Sequence, residues 1–258
     1  MEKSFVLSHG ELKIPCKLLS PEDGRVRRLV LGIHGFGGCA NDTIQVGIAE
    51  EMELFSSAVL RFDFPAHGEN PLDSEGLTLP NCRETLLAAA RWLREQYPEV
   101  EDLCVFATGF GAYMALLVLE KLIAMGGRVK LVIQTPALLM HETMLAMKDM
   151  TLPTLEAMGR VSYRADRPFY ATYEFYRQLR ENIVLTAYPI PILILQGEAD
   201  SYIRMEHIRN FRRLNEDSKL VIIPGATHRF EEEGAWDMVL DLTRDWFEFE
   251  QVLCCDWE

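Results

Sequence analysis

Residues 104–112 read CVFATGFGA, and they mark the sharpest turn of the chain. The first residues of this stretch are apolar and predict the end of a buried strand, while the last residues predict the start of a long apolar helix. Because the strand turns directly into the helix, the residues beside the turn must be small, or their side chains would collide with the neighbouring strand and helix. Ala107 and Gly111 occupy these flanking positions, and Gly109 stands at the turn itself.

Strand and helix patterns alternate on both sides of this turn. The sequence predicts an opening hairpin and further buried strands at 4–7, 12–16, 28–33, 58–62, 103–107, 130–134, 191–196 and 220–223. Helical patterns lie between them, at about 41–55, 80–97, 110–125, 206–214 and 235–253. This alternation predicts an α/β fold with a mostly parallel central sheet and helices on both faces.

One segment, 137–188, interrupts the alternation. It is rich in Met, Arg, Tyr and Phe, and we interpret it as a small helical cap inserted into a single domain that spans residues 1–258. Its apolar side chains suit a pocket for an apolar ligand under the cap, and core packing explains them almost as well.

Composition and charge restrict the classes of function. With 48% hydrophobic and 25% charged residues, the chain has the composition of a soluble globular protein. Its formal net charge of −13 argues against a nucleic-acid partner and against binding to an anionic membrane surface, since both need a basic face. No apolar run approaches the ~20 residues that cross a bilayer, and we expect no secretory signal at the N-terminus.

The six cysteines lie at positions 16, 39, 82, 104, 254 and 255 and lack the spacing of metal ligands. We therefore expect reduced thiols and a cytoplasmic location, with neither a metal nor an organic cofactor. The sequence leaves the oligomeric state open, with a homodimer as one option.

Two polar side chains follow predicted strands. Asp200 ends the segment QGEAD at 196–200, and His228 ends the segment PGATH at 224–228. Because the carboxyl ends of parallel strands meet at one edge of a sheet, we expect both side chains at the same edge as Gly109. A histidine that takes a proton from a nucleophile, with a buried carboxylate that fixes its tautomer, is the arrangement that serine hydrolysis uses.

The loop HGFGG at 34–38 also follows a strand, and it is suited to stabilising negative charge. An oxyanion hole needs backbone N–H groups that point at the developing charge. We expect the amides of Phe36 and Phe110 to be these donors, since Phe110 directly follows the turn. This role uses only the main chain, so the two phenyl rings are free to line a pocket.

Together these segments resemble the α/β-hydrolase superfamily, and in particular the bacterial feruloyl and cinnamoyl esterases and related carboxylesterases. The resemblance rests on HGFGG (34–38), RFDFPAHGEN (61–70), ATGFGA (107–112), ILQGEAD (194–200) and PGATH (224–228). It covers nearly the whole chain except 137–188. It implies hydrolysis of small carboxylic esters, including aryl esters such as hydroxycinnamates, through an acyl-enzyme. It also implies that Asp200 and His228 are catalytic and that Phe36 and Phe110 form the oxyanion hole.

The turn of this family normally reads G-x-S-x-G, with the nucleophilic serine at its centre. In this chain Gly109 falls at the serine position and has no side chain to acylate, so this family role does not transfer. The turn residue adopts a positive φ, which glycine accepts without strain. We therefore expect glycine at this position to preserve the fold and to remove the chemistry.

Other residues are alternatives for these roles. If the turn is shifted by one residue, Thr108 or Cys104 becomes a rival nucleophile, although we expect Thr108 to point away from the pocket and Cys104 to be buried and inert. Glu198 is the alternative acid. His34 and His67 each precede a glycine, and we interpret them as structural residues that hold their loops.

Three functions are consistent with this set of residues. The first is a serine esterase scaffold that has lost its nucleophile and is inactive or nearly so. The second is an enzyme in which the Asp200–His228 pair acts as a general base without an acyl-enzyme. The third is a non-catalytic protein that binds a small apolar or aromatic ligand.

Overall fold

A computed structural model describes residues 1–164 and 169–249 of the chain. Within these residues, strands β1 to β10 cover Glu2–His9, Leu12–Leu19, Arg28–Ile33, Ser57–Phe62, Asp102–Thr108, Arg128–Gln134, Arg160–Arg164, Phe169–Thr172, Ile192–Gly197 and Lys219–Ile223. Helices α1 to α8 cover Thr43–Leu54, Leu79–Gln96, Phe110–Ala124, Met140–Ala146, Leu152–Met158, Tyr173–Glu181, Met205–Leu214 and Ala235–Phe249.

Eight of the described strands form one sheet, in the order β1-β2-β4-β3-β5-β6-β9-β10. The hairpin of β1 and β2 joins β4 in antiparallel orientation, and the pairs from β4 to β10 are parallel. Every residue of β3, β4 and β9 is buried, which is typical of parallel strands that are covered on both faces. The predicted α/β fold with a mostly parallel sheet is confirmed.

Helices cover both faces of this sheet. One hydrophobic core packs α2 and α3 against the first face, with Leu119 fully buried. A second core packs α1 and α8 against the other face through residues such as Ile48 and Phe247. Successive residues of a strand alternate between the two cores, so Val105 belongs to the first and Phe106 to the second.

Helix α2 shows how the local sequence sets the ends of an element. Thr78 precedes the helix in an extended conformation, and its hydroxyl accepts a hydrogen bond of 3.2 Å from the amide of Asn81. Pro80 lies in the first turn, where its missing N–H has no intrahelical partner to lose. The helix therefore begins one residue before its predicted start.

The segment between β6 and β9 differs from a purely helical insertion. It contains α4, α5 and α6, as predicted, and also the antiparallel pair β7 and β8. Its side chains Met144, Phe169 and Phe175 are buried in the same core as α2 and α3, so core packing accounts for these apolar residues. The assignment of 137–188 as the cap of a single domain stays a prediction.

The last helix is described to Phe249. Its predicted end at 253 lies outside the described residues, as do Cys254 and Cys255. The four cysteines in the described part of the chain are free thiols. Across residues 1–164 and 169–249, no helix combines the length and the apolar composition needed to cross a membrane.

The strand register brings the predicted site loops to one edge of the sheet. Ile33 pairs with Ala107 at the ends of β3 and β5, and Gly197 pairs with Ile223 at the ends of β9 and β10. The loops that follow these four strands contain HGFGG, the turn at Gly109, the acid segment and the histidine segment. They therefore leave the sheet at the same carboxyl edge.

Gly111→Ala is expected to destabilise the protein. A Cβ at this position would lie 2.5 Å from the carbonyl oxygens of Ile33 and His34, so α3 would have to move away from β3. Overpacking of this kind costs about 1–3 kcal/mol. Gly47→Ala in α1 is the matched control, since outside its own helix a Cβ there meets only the Leu240 side chain, at 3.9 Å. Urea unfolding of both variants measures the difference, and equal stabilities would contradict the close packing at Gly111.

Candidate active site

Gly109 forms the turn between β5 and α3. Its backbone has φ 50° and ψ −110°, a conformation that favours glycine. The Gly109 amide donates to the carbonyl oxygen of Gln134 at 3.0 Å, and the Gly109 carbonyl accepts from the amide of Ala137 at 3.2 Å. A Cβ built on Gly109 would have only the Cα of Gly35 within 4 Å, at 3.9 Å. The turn is thus fixed by main-chain bonds, and it leaves room for a side chain.

Asp200 and His228 form a hydrogen-bonded pair. The Nδ1 atom of His228 lies 2.8 Å from Oδ2 of Asp200. An ionised carboxylate can only accept, so Nδ1 carries the proton and Nε2 of the neutral ring is an acceptor. The Asp200 side chain is 1% exposed and that of His228 is 28% exposed. A buried carboxylate therefore orients a histidine that solvent or a ligand can reach.

Four donors hold the Asp200 carboxylate. Besides His228, Oδ1 accepts from the amides of Tyr202 at 2.8 Å and Ile203 at 3.1 Å, and Oδ2 accepts from the Gln196 side-chain amide at 3.1 Å. Burial alone would raise the pKa of Asp200, but the hydrogen bonds and the charge interaction with His228, together with the two amides, bring this pKa below its ordinary value of 3.8. Asp200 is therefore ionised at neutral pH.

Close packing at Gly197 brings the loop that contains His228 into contact with the loop that contains Asp200. A Cβ on Gly197 would collide with the carbonyl oxygens of Ala226 and Thr227, and the amide of Ala199 donates to the Ala226 carbonyl at 2.9 Å. The neighbouring carboxylate of Glu198 accepts from the amide of Gly225 at 2.9 Å. Glu198, the alternative acid, thus holds the turn before the histidine, and Asp200 is the carboxylate that contacts His228.

The HGFGG loop is held by a neutral histidine. The ring of His34 donates from Nδ1 to the carbonyl of Gly35 at 2.8 Å and accepts at Nε2 from the amide of Phe64 at 3.1 Å. Burial lowers the pKa of His34 and outweighs the nearby carboxylates, of which Asp63 has the largest effect. The interpretation of His34 as a structural residue agrees with these contacts.

Phe36 and Phe110 lie on either side of the turn. Phe110 is the first residue of α3, where amides have no intrahelical acceptor and the helix dipole is positive. Phe36 lies in the loop after β3, which reverses through a hydrogen bond of 3.1 Å from the amide of Gly38 to the carbonyl of Gly35. The two phenyl rings are in edge-to-face contact, with centroids 5.7 Å apart.

No profile of a known protein family matches the chain, and no curated protein matches its sequence. Solved structures match its fold. Est1E of Butyrivibrio proteoclasticus, solved with ferulic acid bound, has a TM-score of 0.78 at 20% identity over 94% of this chain and 97% of its own. Alpha/beta hydrolase domain-containing protein 10 of mouse has a TM-score of 0.75 at 16% identity, over 96% and 100%. A soluble variant of monoglyceride lipase from Saccharomyces cerevisiae, in complex with a substrate analogue, has a TM-score of 0.76 at 16% identity, over 95% and 94%.

The chain has the α/β-hydrolase fold. The resemblance predicted from the sequence is confirmed at this level, and esterase and lipase structures are among its neighbours. The catalytic roles of Gly109, Asp200, His228, Phe36 and Phe110 stay predictions.

Cys104 and Thr108, the two alternative nucleophiles, have different surroundings from Gly109. Cys104 is fully buried in the core on the α1 and α8 face, and burial raises the pKa of its thiol to about 12. Such a thiol is protonated and unreactive at neutral pH. The Thr108 hydroxyl lies against Gly35, where a Cβ would approach it to 3.4 Å.

Two residues of the site were missed in the sequence. Gln196 donates to the Asp200 carboxylate, and the ring of Tyr202 lies edge-on to His228 with centroids 5.2 Å apart. The bonds from the amides two and three residues after Asp200 form an Asx turn, which the segment DSYI at 200–203 can adopt. For Gln196 the sequence gives a weaker signal, namely a polar residue at the second-last position of a buried strand.

The lowered pKa of His34 predicts that the protein loses stability in mild acid. In the folded chain the pKa of His34 is lowered, so below the ordinary value of 6.5 the unfolded chain binds a proton that the folded chain does not. The free energy of unfolding should therefore fall as the pH drops below 6.5, by up to about 1.4 kcal/mol per pH unit from this group. His141, whose pKa burial also lowers, adds to the same trend.

Urea unfolding of the unmodified chain and of His34→Gln between pH 7 and pH 5 measures this contribution. The substituted chain should show the smaller loss of unfolding free energy over this range. Equal slopes in the two proteins would show that His34 takes up its proton in the folded state.

Proposed function

We propose that this chain is a serine-carboxylesterase-type α/β-hydrolase scaffold that lacks its nucleophile. The observation that carries the proposal is Gly109 at the turn between β5 and α3, with a positive φ and open space where a side chain would begin. Without a hydroxyl at this point no acyl-enzyme can form. Loss of a serine nucleophile costs on the order of 10⁶ in kcat, so the chain is inactive or nearly inactive toward esters.

The remaining parts of the site support this proposal. His228 would take the proton of a nucleophile and then deliver it to the leaving group, and ionised Asp200 would stabilise the resulting imidazolium. The amides of Phe36 and Phe110 would stabilise the oxyanion from two sides of the turn. These roles need no metal and no organic cofactor.

The proposed ligand is a small carboxylic ester or a related apolar or aromatic molecule. Est1E, which shares the fold, was solved with ferulic acid, and the lipase neighbour was solved with a substrate analogue. The net charge of −13 disfavours nucleic acids and anionic membranes as partners. We propose a cytoplasmic location on the basis of the free thiols of the described residues.

A second candidate function is general-base catalysis without an acyl-enzyme. It is favoured by the intact pair, because Asp200 fixes the His228 tautomer that leaves Nε2 as an acceptor. In this case the unmodified chain would hydrolyse p-nitrophenyl acetate slowly and without a burst. The rate would disappear in His228→Ala, and a rate that survived this substitution would exclude the candidate.

Gly109→Ser is expected to create esterase activity. The serine side chain has room, and the proposal assigns His228 as its base and the Phe36 and Phe110 amides as oxyanion donors, so kcat toward p-nitrophenyl acetate should rise by several orders of magnitude, up to about 10⁶-fold. Positive φ should make this variant less stable by about 1–3 kcal/mol. Gly109→Ala is the matched control, because it has the same strain and no hydroxyl.

A second control separates the proposed triad from an unspecific serine. Combining Gly109→Ser with His228→Gln should remove the new activity while circular dichroism shows an unchanged fold. A folded Gly109→Ser variant with no more activity than Gly109→Ala would refute the proposed function.

A further inference from the structure

Five aromatic side chains are in contact where the HGFGG loop (34–38) packs against the segment between β6 and β9. We call Phe36, Phe110, Tyr163, Phe169 and Phe175 the ring cluster. The centroid of Phe36 lies 4.9 Å from that of Tyr163, 5.1 Å from Phe169 and 5.7 Å from Phe110. Phe169 and Tyr163 are also in contact, at 5.5 Å. One ring from the HGFGG loop is thus enclosed by rings from α3, β7, β8 and α6.

The spacing between the Phe36 and Phe175 rings leaves no room for a further ring between them. Phe36 and Phe175 are nearly parallel, at 7°, with centroids 6.3 Å apart. An aromatic group inserted between parallel rings would need them at least about 7 Å apart, twice the contact distance of carbon atoms. Phe169 and Phe175 are 2% and 1% exposed, so neither is positioned to offer an open face to a ligand.

The sheet order shows which part of an ester would meet these rings. Strand β3, which carries the Phe36 loop, is next to β5 on one side, whereas β10, which carries the His228 loop, lies beyond β6 and β9 on the other. The histidine must protonate the leaving alcohol, so the alcohol lies toward His228. The oxyanion is directed at the Phe36 and Phe110 amides, so the acyl group takes the remaining direction, away from His228 and beside the rings of these two residues.

We propose that the ring cluster restricts the acyl side of this site to short groups such as acetyl and excludes hydroxycinnamoyl groups. The alcohol side is open, since Tyr202 is 43% exposed and the His228 side chain is 28% exposed. This inference rests on the proposed function, because it uses the roles of His228 and of the Phe36 and Phe110 amides. The substrate class is then a short-chain ester in which the alcohol can be bulky.

The first test compares two esters with the same leaving group in the Gly109→Ser background. The value of kcat/KM for p-nitrophenyl acetate should exceed that for p-nitrophenyl cinnamate by roughly 100-fold or more, since the cinnamoyl ring has no space. Similar values for the two esters would overturn the inference while leaving the proposed function intact.

Smaller side chains in the cluster should open the acyl side. In the same background, Phe169→Leu and Phe175→Leu should each raise the cinnamate-to-acetate ratio of kcat/KM by roughly 10-fold. Phe211→Leu is the matched control, because Phe211 is equally buried but contacts Tyr188, outside the ring cluster. It should leave the ratio unchanged. An unchanged ratio in both cluster variants would contradict the assignment.

If Gly109→Ser hydrolyses neither ester, the proposed function is refuted. A binding measurement still tests the inference about the ring cluster in that case. NMR titration of the chain with cinnamate follows the His228 ring resonance in the unmodified protein, Phe169→Leu and Phe175→Leu. We expect no shift in the unmodified chain and a shift in at least one variant. A shift in the unmodified chain, or none in either variant, would overturn the inference.

Discussion

The site depends on the tight junction between β5 and α3. Gly111 brings the start of α3 against the carbonyls of Ile33 and His34, so the helix and the HGFGG loop touch without intervening side chains. The backbone of Gly109 is bonded to Gln134 on one side and to Ala137 on the other. All of these contacts are made by main chain. The side chain at position 109 is therefore not part of what holds the junction together.

This separation explains how the α/β-hydrolase fold accommodates glycine at the turn. Serine at φ 50° is strained and glycine is not, so glycine at position 109 favours the stability of the fold. The histidine and acid loops are likewise held by their own contacts. Asp200 accepts from Tyr202 and Ile203 as well as from His228, so it has a structural role in its loop that is independent of catalysis.

Most of the sheet and the loops of the site could be predicted from the sequence, because each buried strand is a short apolar run that is followed by glycine, proline or a polar residue. The contact between Asp200 and His228 followed from the rule that parallel strands end at one edge. The choice between Asp200 and Glu198 did not, since both follow the same strand. It is decided by the amide of Gly225, a tertiary contact with Glu198.

The segment between β6 and β9 was harder to predict. Strands β7 and β8 have five and four residues, too few to show a clear alternation of apolar and polar side chains. The ring cluster joins Phe36 to residues more than 120 positions away, and no local pattern specifies such a contact. The rings of Phe36 and Phe110, which the sequence leaves free to line a pocket, contact one another and the other rings of the cluster.

Intact-mass spectrometry after incubation with a fluorophosphonate tests the central claim most directly, because this reagent forms a stable adduct with an activated serine hydroxyl. The account predicts no adduct on the unmodified chain and one adduct on Gly109→Ser, mapped to position 109 by peptide analysis. An adduct on the unmodified chain at Thr108 or Cys104 would identify a different nucleophile. Its appearance would contradict the claim that the site of this chain holds no reactive nucleophile.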